Sequence, residues 1–149
     1  MSRSEPQPVG PARSPSLNSV GFLMNRAQMR LREGIVAALE GTGLQPGHLA
    51  VLGTLTDCGS MSQRALGELS HIEKSSMVLI IDSLERAGWV RRGRDPNDRR
   101  AHLVQMTEDG VRRFESLGQR LVEAQEGFLH ALSQRERALL IDLLKQLVG

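Results

Sequence analysis

Absences narrow the reading before any motif is considered. Aromatic residues make up 3% of the 149 residues, with one tryptophan and no tyrosine. A chain so poor in aromatics and rich in aliphatics suits packed helices. Its one cysteine, Cys58, excludes an intramolecular disulfide and fits a reducing cytoplasm. No apolar run approaches the ~18–20 residues needed to span a membrane. Residues 1–16 are rich in Ser and Pro without the apolar core of a secretory signal, so they read as a disordered tail. There is no Gly-rich phosphate loop, nucleophile elbow or carboxylate pair, so no catalytic residue, enzyme activity or cofactor is expected. His48, His71, His102 and His130 sit in different elements without ligand spacing, which argues against a metal site. Charge of one sign is also scarce overall, at +2 net, so any basic character must be local.

That local character lies between Glu85 and Gly110. A helix is expected to end at Gly88, where a residue without Cβ takes the left-handed cap. Two short runs, Trp89 to Arg92 and Ala101 to Met106, flank Asp95-Pro96-Asn97-Asp98, a turn-forming cluster. The result is a β-hairpin whose tip carries Arg91, Arg92, Arg94, Arg99 and Arg100. Five guanidiniums on one small ribbon repel each other and gain nothing for folding. They fit a ribbon that meets a polyanion, duplex DNA above all. Asp98 and Arg100, two apart on an extended strand, share a face, and their ion pair is expected to hold the tip in shape.

Ahead of the hairpin, Ser62 caps a short helix running to Leu69 and burying Ala65, Leu66 and Leu69. A turn at Ser70-His71-Ile72 leads into a helix from about Glu73 to Ala87, with Met77, Ile80, Ile81 and Leu84 on one face. Helix, tight turn, helix is a DNA-reading unit whose second helix enters the major groove by its N-terminal residues. With the hairpin it makes a winged helix-turn-helix. On the second helix, Ser75 and Ser76 can donate to phosphates or base edges, and Lys74 suits a phosphate or a guanine. Val78 and Leu79 offer apolar contact to a thymine methyl, and Arg64 on the first helix is a candidate backbone contact.

The flanking segments are amphipathic helices. Asn18 or Ser19 caps one reaching about Glu40, with Val20, Leu23, Met24, Ala27, Leu31, Ile35 and Leu39 in a stripe. Pro46 opens a second, which buries Leu49, Leu52 and Leu55 and stops near Cys58. Ser60-Met61 then forms a minor strand beside the wing. Thr107 caps a long helix bearing Val111, Phe114, Leu117, Leu121, Ala124 and Phe128. Ser133-Gln134-Arg135-Glu136 is a capping box for the last helix, with Leu140, Leu143, Leu144 and Leu147. These stripes exceed what the reading unit can cover, so a two-fold homodimer is expected, its reading helices about one DNA turn (~34 Å) apart. Cys58 reads as a packed or inert thiol, because the charge of Asp57 opposes a thiolate.

The run Asp95-Pro96-Asn97-Asp98-Arg99-Arg100, followed by Met106-Thr107-Glu108-Asp109-Gly110 and preceded by Asp82-Ser83-Leu84-Glu85-Arg86-Ala87-Gly88, resembles the MarR family of bacterial transcription regulators. The motifs cover roughly residues 62–110, and the helical pattern extends the resemblance from about Leu17 to the C-terminus. It implies a mainly α fold with a small β-wing and a single domain over 17–149. Within that domain, 17–45 and 111–149 would be dimerisation helices and 46–110 the winged-helix DNA-binding region. The resemblance further implies that first and last helices of both chains interdigitate. One wing-tip arginine, Arg94 or Arg99, would enter the minor groove. Small aromatic or phenolic acids would lodge between the dimer helices and the reading unit, where Met24, Arg26, Met29, Arg30 and His48 stand at suitable positions by element. The chain departs from the pattern twice. It has Val78-Leu79 where relatives often show Thr-Arg, so an arginine-to-guanine contact is missing. It also has no cysteine near the start of the first helix, where redox-sensing members carry theirs.

The function so implied is a cytoplasmic homodimer that regulates transcription, usually as a repressor. It would bind a pseudo-palindromic operator in double-stranded DNA and be released by a small aromatic effector, with no cofactor and no membrane contact. The alternative is a winged helix used for protein–protein assembly, or an architectural DNA-binding protein without ligand control. The wing arginines argue against protein–protein assembly, because an interaction module has no need for five of them.

Overall fold

The computed structural model describes residues 17–95 and 102–149. Among these, the elements in chain order are α1 (Val20–Ala38), α2 (Pro46–Cys58), β1 (Met61–Ser62), α3 (Gln63–Ser70), α4 (Lys74–Arg86), β2 (Val90–Arg94), β3 (His102–Met106), α5 (Glu108–Leu129) and α6 (Gln134–Val148). The helix starts follow from their caps. The hydroxyls of Ser19, Ser62, Thr107 and Ser133 accept the backbone N–H groups of Phe22, Ala65, Gly110 and Glu136. Helix α4 ends as expected at Gly88, in the left-handed region at φ 75°. There the Trp89 N–H reaches the Leu84 carbonyl at 2.9 Å and the Gly88 N–H reaches Glu85 at 3.0 Å, the paired bonds that close a helix C-terminus.

One core holds the reading unit together. Val51 and Leu52 of α2, Leu66 of α3, Met77, Ile81 and Leu84 of α4, and Val90 and Val104 of the hairpin are all fully buried. The three strands form an antiparallel sheet in the order β1-β3-β2, with Val104 between Met61 and Arg92. Strand bounds differ slightly from expectation. The minor strand is Met61–Ser62 instead of Ser60-Met61, and the hairpin pairs Val90–Arg94 with His102–Met106. Leu69, expected inside, is 56% exposed. An eight-residue helix buries only the row centred on Leu66, and Leu69 falls at its edge beside the turn. Leu49 and Ala65 are half-buried, and Val51 fills the place expected of Leu49.

Helices α1 and α5 pack side by side, and Arg120 of α5 donates to the Ala37 and Glu40 carbonyls at the C-terminal end of α1. A cation suits the negative end of that helix. Arg137 joins Glu126 and donates to the Leu132 carbonyl, which fixes the corner between α5 and α6. Beyond that corner α6 has no buried residue.

His48 opens α2 from a buried position. Its Nδ1 accepts the Gln45 N–H at 2.9 Å, so the ring is neutral with its proton on Nε2. Burial lowers its pKa from the ordinary 6.5. A lowered folded-state pKa contributes stability that is whole above the unfolded value and lost as pH falls through the folded one. Melting temperature should therefore decline as pH falls below about 6.5. His48→Gln, whose amide oxygen can accept the same N–H, should flatten that decline. An equally steep decline in the variant would remove His48 as the cause.

Candidate nucleic-acid interface

Helix α4 presents a definite outer face. Its core row is Met77, Ile81 and Leu84, so at 3.6 residues per turn the opposite row is Ser75, Leu79, Asp82 and Arg86. Lys74, Ser75 and Ser76 are exposed in the first turn. Leu79 is 70% exposed and Val78 37%, an uncovered apolar spot beside the serines. Arg64 and Lys74 line one groove between α3 and α4, and Arg64 is paired with Glu68 at 2.9 Å. The turn between these helices rests on two positions. His71 takes the left-handed conformation at φ 52°, and Gly67 lies so close to the Ile72 carbonyl that a Cβ would stand 3.1 Å from it.

The wing corrects one expectation. Arg92 is not a free cation at the tip. It sits mid-strand, and its guanidinium reaches Asp82 Oδ1 at 2.6 Å and Glu85 Oε2 at 2.5 Å, with Gln63 Oε1 at 3.4 Å. The Arg92 backbone N–H donates to Glu85 Oε1 at 2.9 Å. That N–H, joined by the guanidinium, holds the Glu85 carboxyl below the usual carboxylate range against the effect of burial. The view that all the wing arginines gain nothing for folding therefore fails at Arg92. The signal that could have revealed it was the carboxylate pair at i and i+3, Asp82 and Glu85, on the helix leading into the arginine strand. Arg91 points to the other face, where the Gln105 amide oxygen, turned toward it, lies 2.6 Å from Nε. Arg94 closes the strand opposite His102 and is exposed. Asp98, Arg99 and Arg100 fall outside the described residues, and with them the expected ion pair at the tip.

A tight junction anchors the wing to α5. Thr107 donates its hydroxyl to the Gly88 carbonyl at 2.6 Å, its N–H bonds the Trp89 carbonyl at 3.0 Å, and the same hydroxyl caps Gly110. The Arg113 guanidinium lies 3.8 Å over the buried Trp89 ring and donates to the Ala87 carbonyl. Arg113 was not singled out from the sequence, where it is one of several charged residues on a long helix.

Among the described residues, the candidate ligand residues are spread over separate places. Met24, Arg26, Met29 and Arg30 are exposed along α1, with Arg26 over the Phe22 ring and Arg30 in a groove shared with Arg120 and Phe128. His48 is apart from them, its Nδ1 occupied by Gln45. Cys58 is exposed at the end of α2, not packed. Among the described residues no group of His, Cys, Asp and Glu could hold a metal ion, and no helix is long and apolar enough to cross a membrane.

A winged helix-turn-helix with a polar and basic outer face defines a class of DNA-binding proteins. The MarR family model matches residues 44–102. A protein of Thauera aromatica assigned as a transcriptional regulatory protein for the hcr operon is 31% identical over 129 residues, spanning 86% of this chain and 78% of that one. The chain belongs to the MarR family, as its motifs implied, and is a transcriptional regulator. Many solved structures share its fold. The PcaV transcriptional regulator of Streptomyces coelicolor, in complex with its natural ligand, is 27% identical with a TM-score of 0.76, covering 92% of this chain and 97% of that one. BpsR of Bordetella bronchiseptica, whose DNA binding is regulated by 6-hydroxynicotinic acid, is 23% identical with a TM-score of 0.82, covering 93% and 99%.

Proposed function

We propose that the protein is a cytoplasmic homodimeric repressor that binds a pseudo-palindromic operator and is released by a small aromatic acid. The observation that carries the DNA reading is the outer face of α4, whose serines and Leu79 are left exposed by the described residues, flanked by a wing fixed against the same helix. Lys74, Ser75 and Ser76 meet phosphates and base edges, Val78 and Leu79 meet thymine methyls, and Arg64, Arg91 and Arg94 meet the backbone or the minor groove. Asp98, Arg99 and Arg100 belong to the same surface by their place in the sequence. Residues 46–110 form the DNA-binding region, and 17–45 with 111–149 form the dimer region. The apolar face of α6 supports a second copy, and a two-fold axis would set the reading helices about one DNA turn apart.

Ligand control rests on the 27%-identical PcaV, which has a natural ligand, and on the exposed cations and methionines of α1. A partner copy packed on α1 would complete a site from Met24, Arg26, Met29 and Arg30, with an arginine for the carboxylate. An effector acts by binding one spacing of the reading helices better than another.

Selection of bound fragments from a random duplex library tests the DNA reading. The expected motif is a half-site repeated one turn apart, with a thymine under Leu79 in each. Replacing that thymine by deoxyuridine should weaken binding about fourfold per half-site, from ~0.8 kcal/mol for one methyl-sized group. Leu79→Ala should be indifferent to the replacement. Enrichment of no sequence would instead favour an architectural role.

A further inference from the structure

We infer that Arg92 is a positioning residue, not a phosphate contact. It locks the wing to the reading helix and screens the two carboxylates that the helix would otherwise present to DNA. The inference rests on the proposal that α4 and the wing together face the duplex. Arg92 joins three elements through one side chain, Gln63 at the start of α3, Asp82 and Glu85 on α4, and β2 itself. Both oxygens of Glu85 are engaged, one by the Arg92 N–H and one by its guanidinium. The fork geometry of a guanidinium allows it to hold two carboxylates at once, which a lysine ammonium on a flexible stem does poorly. Only 29% of the Arg92 side chain is exposed, against an exposed Arg94 two residues on and on the same side of the strand.

Electrostatics give the second half of the argument. Asp82 lies on the outer row of α4 and Glu85 one turn further along. Like charges three apart on a helix repel, and both would repel a nearby phosphate backbone. Arg92 lies between them and compensates one charge, while its strand carries the wing to a fixed angle. An arginine committed in this way has few donors left for a phosphate. Among the described residues of the wing the exposed arginines are Arg91 and Arg94, and the reach of the hairpin depends on an angle that Arg92 sets.

The double cycle of Glu85→Gln and Arg92→Gln, with Arg92→Lys as a charge-conserving third variant, separates the roles. Each is measured by binding isotherms on the selected operator at low and high salt. Positioning predicts that all three variants weaken binding about three- to tenfold even at high salt, where charge effects are screened. The slope of log K against log salt should stay near the wild-type value, and the double variant should be no weaker than Arg92→Gln alone. A phosphate contact predicts otherwise. Arg92→Gln would flatten the slope by about 1.8, two contacts per dimer at ~0.9 each, and Arg92→Lys would keep it. Glu85→Gln would tighten binding by releasing the arginine. Either result overturns the inference. Amide exchange in the DNA-free protein stands independently of any operator. The Arg92 amide should exchange at least about tenfold faster in Glu85→Ala, which leaves that N–H no side-chain acceptor, while core amides hold. Unchanged exchange would mean there is no brace, whatever the DNA results.

Discussion

Replacing Gly110 with alanine is expected to detach the wing from α5 and to destabilise the whole protein. The added Cβ would stand 2.1 Å from the Trp89 carbonyl oxygen and 2.9 Å from its carbon. Both are backbone atoms at the entry to β2, so no side-chain rotation relieves the clash. Helix α5 must back away, and three bonds go with it. They are the Thr107 N–H to Trp89, the Thr107 hydroxyl to Gly88 and the Thr107 cap on Gly110. Overpacking costs about 1–3 kcal/mol and a lost cap about 1. A total of roughly 3 kcal/mol lowers the melting temperature by about 10 °C in a protein of this size, at ~2–4 °C per kcal/mol. Gly53→Ala is the matched control. Gly53 lies inside α2 with nothing within 4 Å of an added Cβ, so that change should stabilise by about 0.5–1 kcal/mol. The two are compared by thermal melts at one protein concentration, since assembly shifts the midpoint. A Gly110→Ala melt within about 2 °C of wild type would show that the junction adapts.

The same position shows what the sequence carries legibly and what it does not. Thr107-Glu108-Asp109-Gly110 reads as a helix start from its spacing alone, because a cap hydroxyl and the backbone it satisfies are local. Gly110 as the seat of a carbonyl twenty-one residues earlier is not local, and no propensity announces it. The helix periods, the caps and the end of α4 at Gly88 were readable for the first reason. Arg92 was misread for the second. Five arginines in a short run look equivalent until the strand alternates them, one toward α4 and its carboxylates, the next toward Gln105. The ligand residues were placed by element only, and the single chain shows why that falls short. Met24 and Met29 are exposed along α1 while His48 is buried as part of a cap, so any shared cavity needs a surface that one chain does not provide. Family motifs carried the class of function. Geometry was needed to separate Arg92, which holds the wing to α4, from the exposed Arg91 and Arg94.

Placing glutamate at both Leu143 and Leu147 should split the proposed dimer and abolish operator binding. The pair sits one turn apart on α6, Leu147 is 70% exposed, and the helix buries nothing against its own chain. Leu139, Ile141, Leu144 and Val148 of the same helix are also uncovered, as are Leu23, Met24 and Met29 on α1. A soluble chain rarely leaves apolar helix faces of this extent unpaired. The comparable stripe of α5 is partly covered by α1, so the α6 face is free for a second copy. Four leucines per dimer at about 1.5–3 kcal/mol each contribute roughly 6–12 kcal/mol to association. Even the lower figure carries a nanomolar dimer to weaker than micromolar. A monomer engages one half-site and loses the avidity that a two-fold operator supplies. Light scattering at micromolar concentration should give twice the 16.4 kDa chain mass for wild type and the chain mass for the variant. Circular dichroism should show helix retained, because the reading-unit core contains no α6 residue. A wild type that scatters as a monomer, or a variant that stays dimeric and binds operator normally, would remove α6 from the assembly and leave its apolar face to another partner.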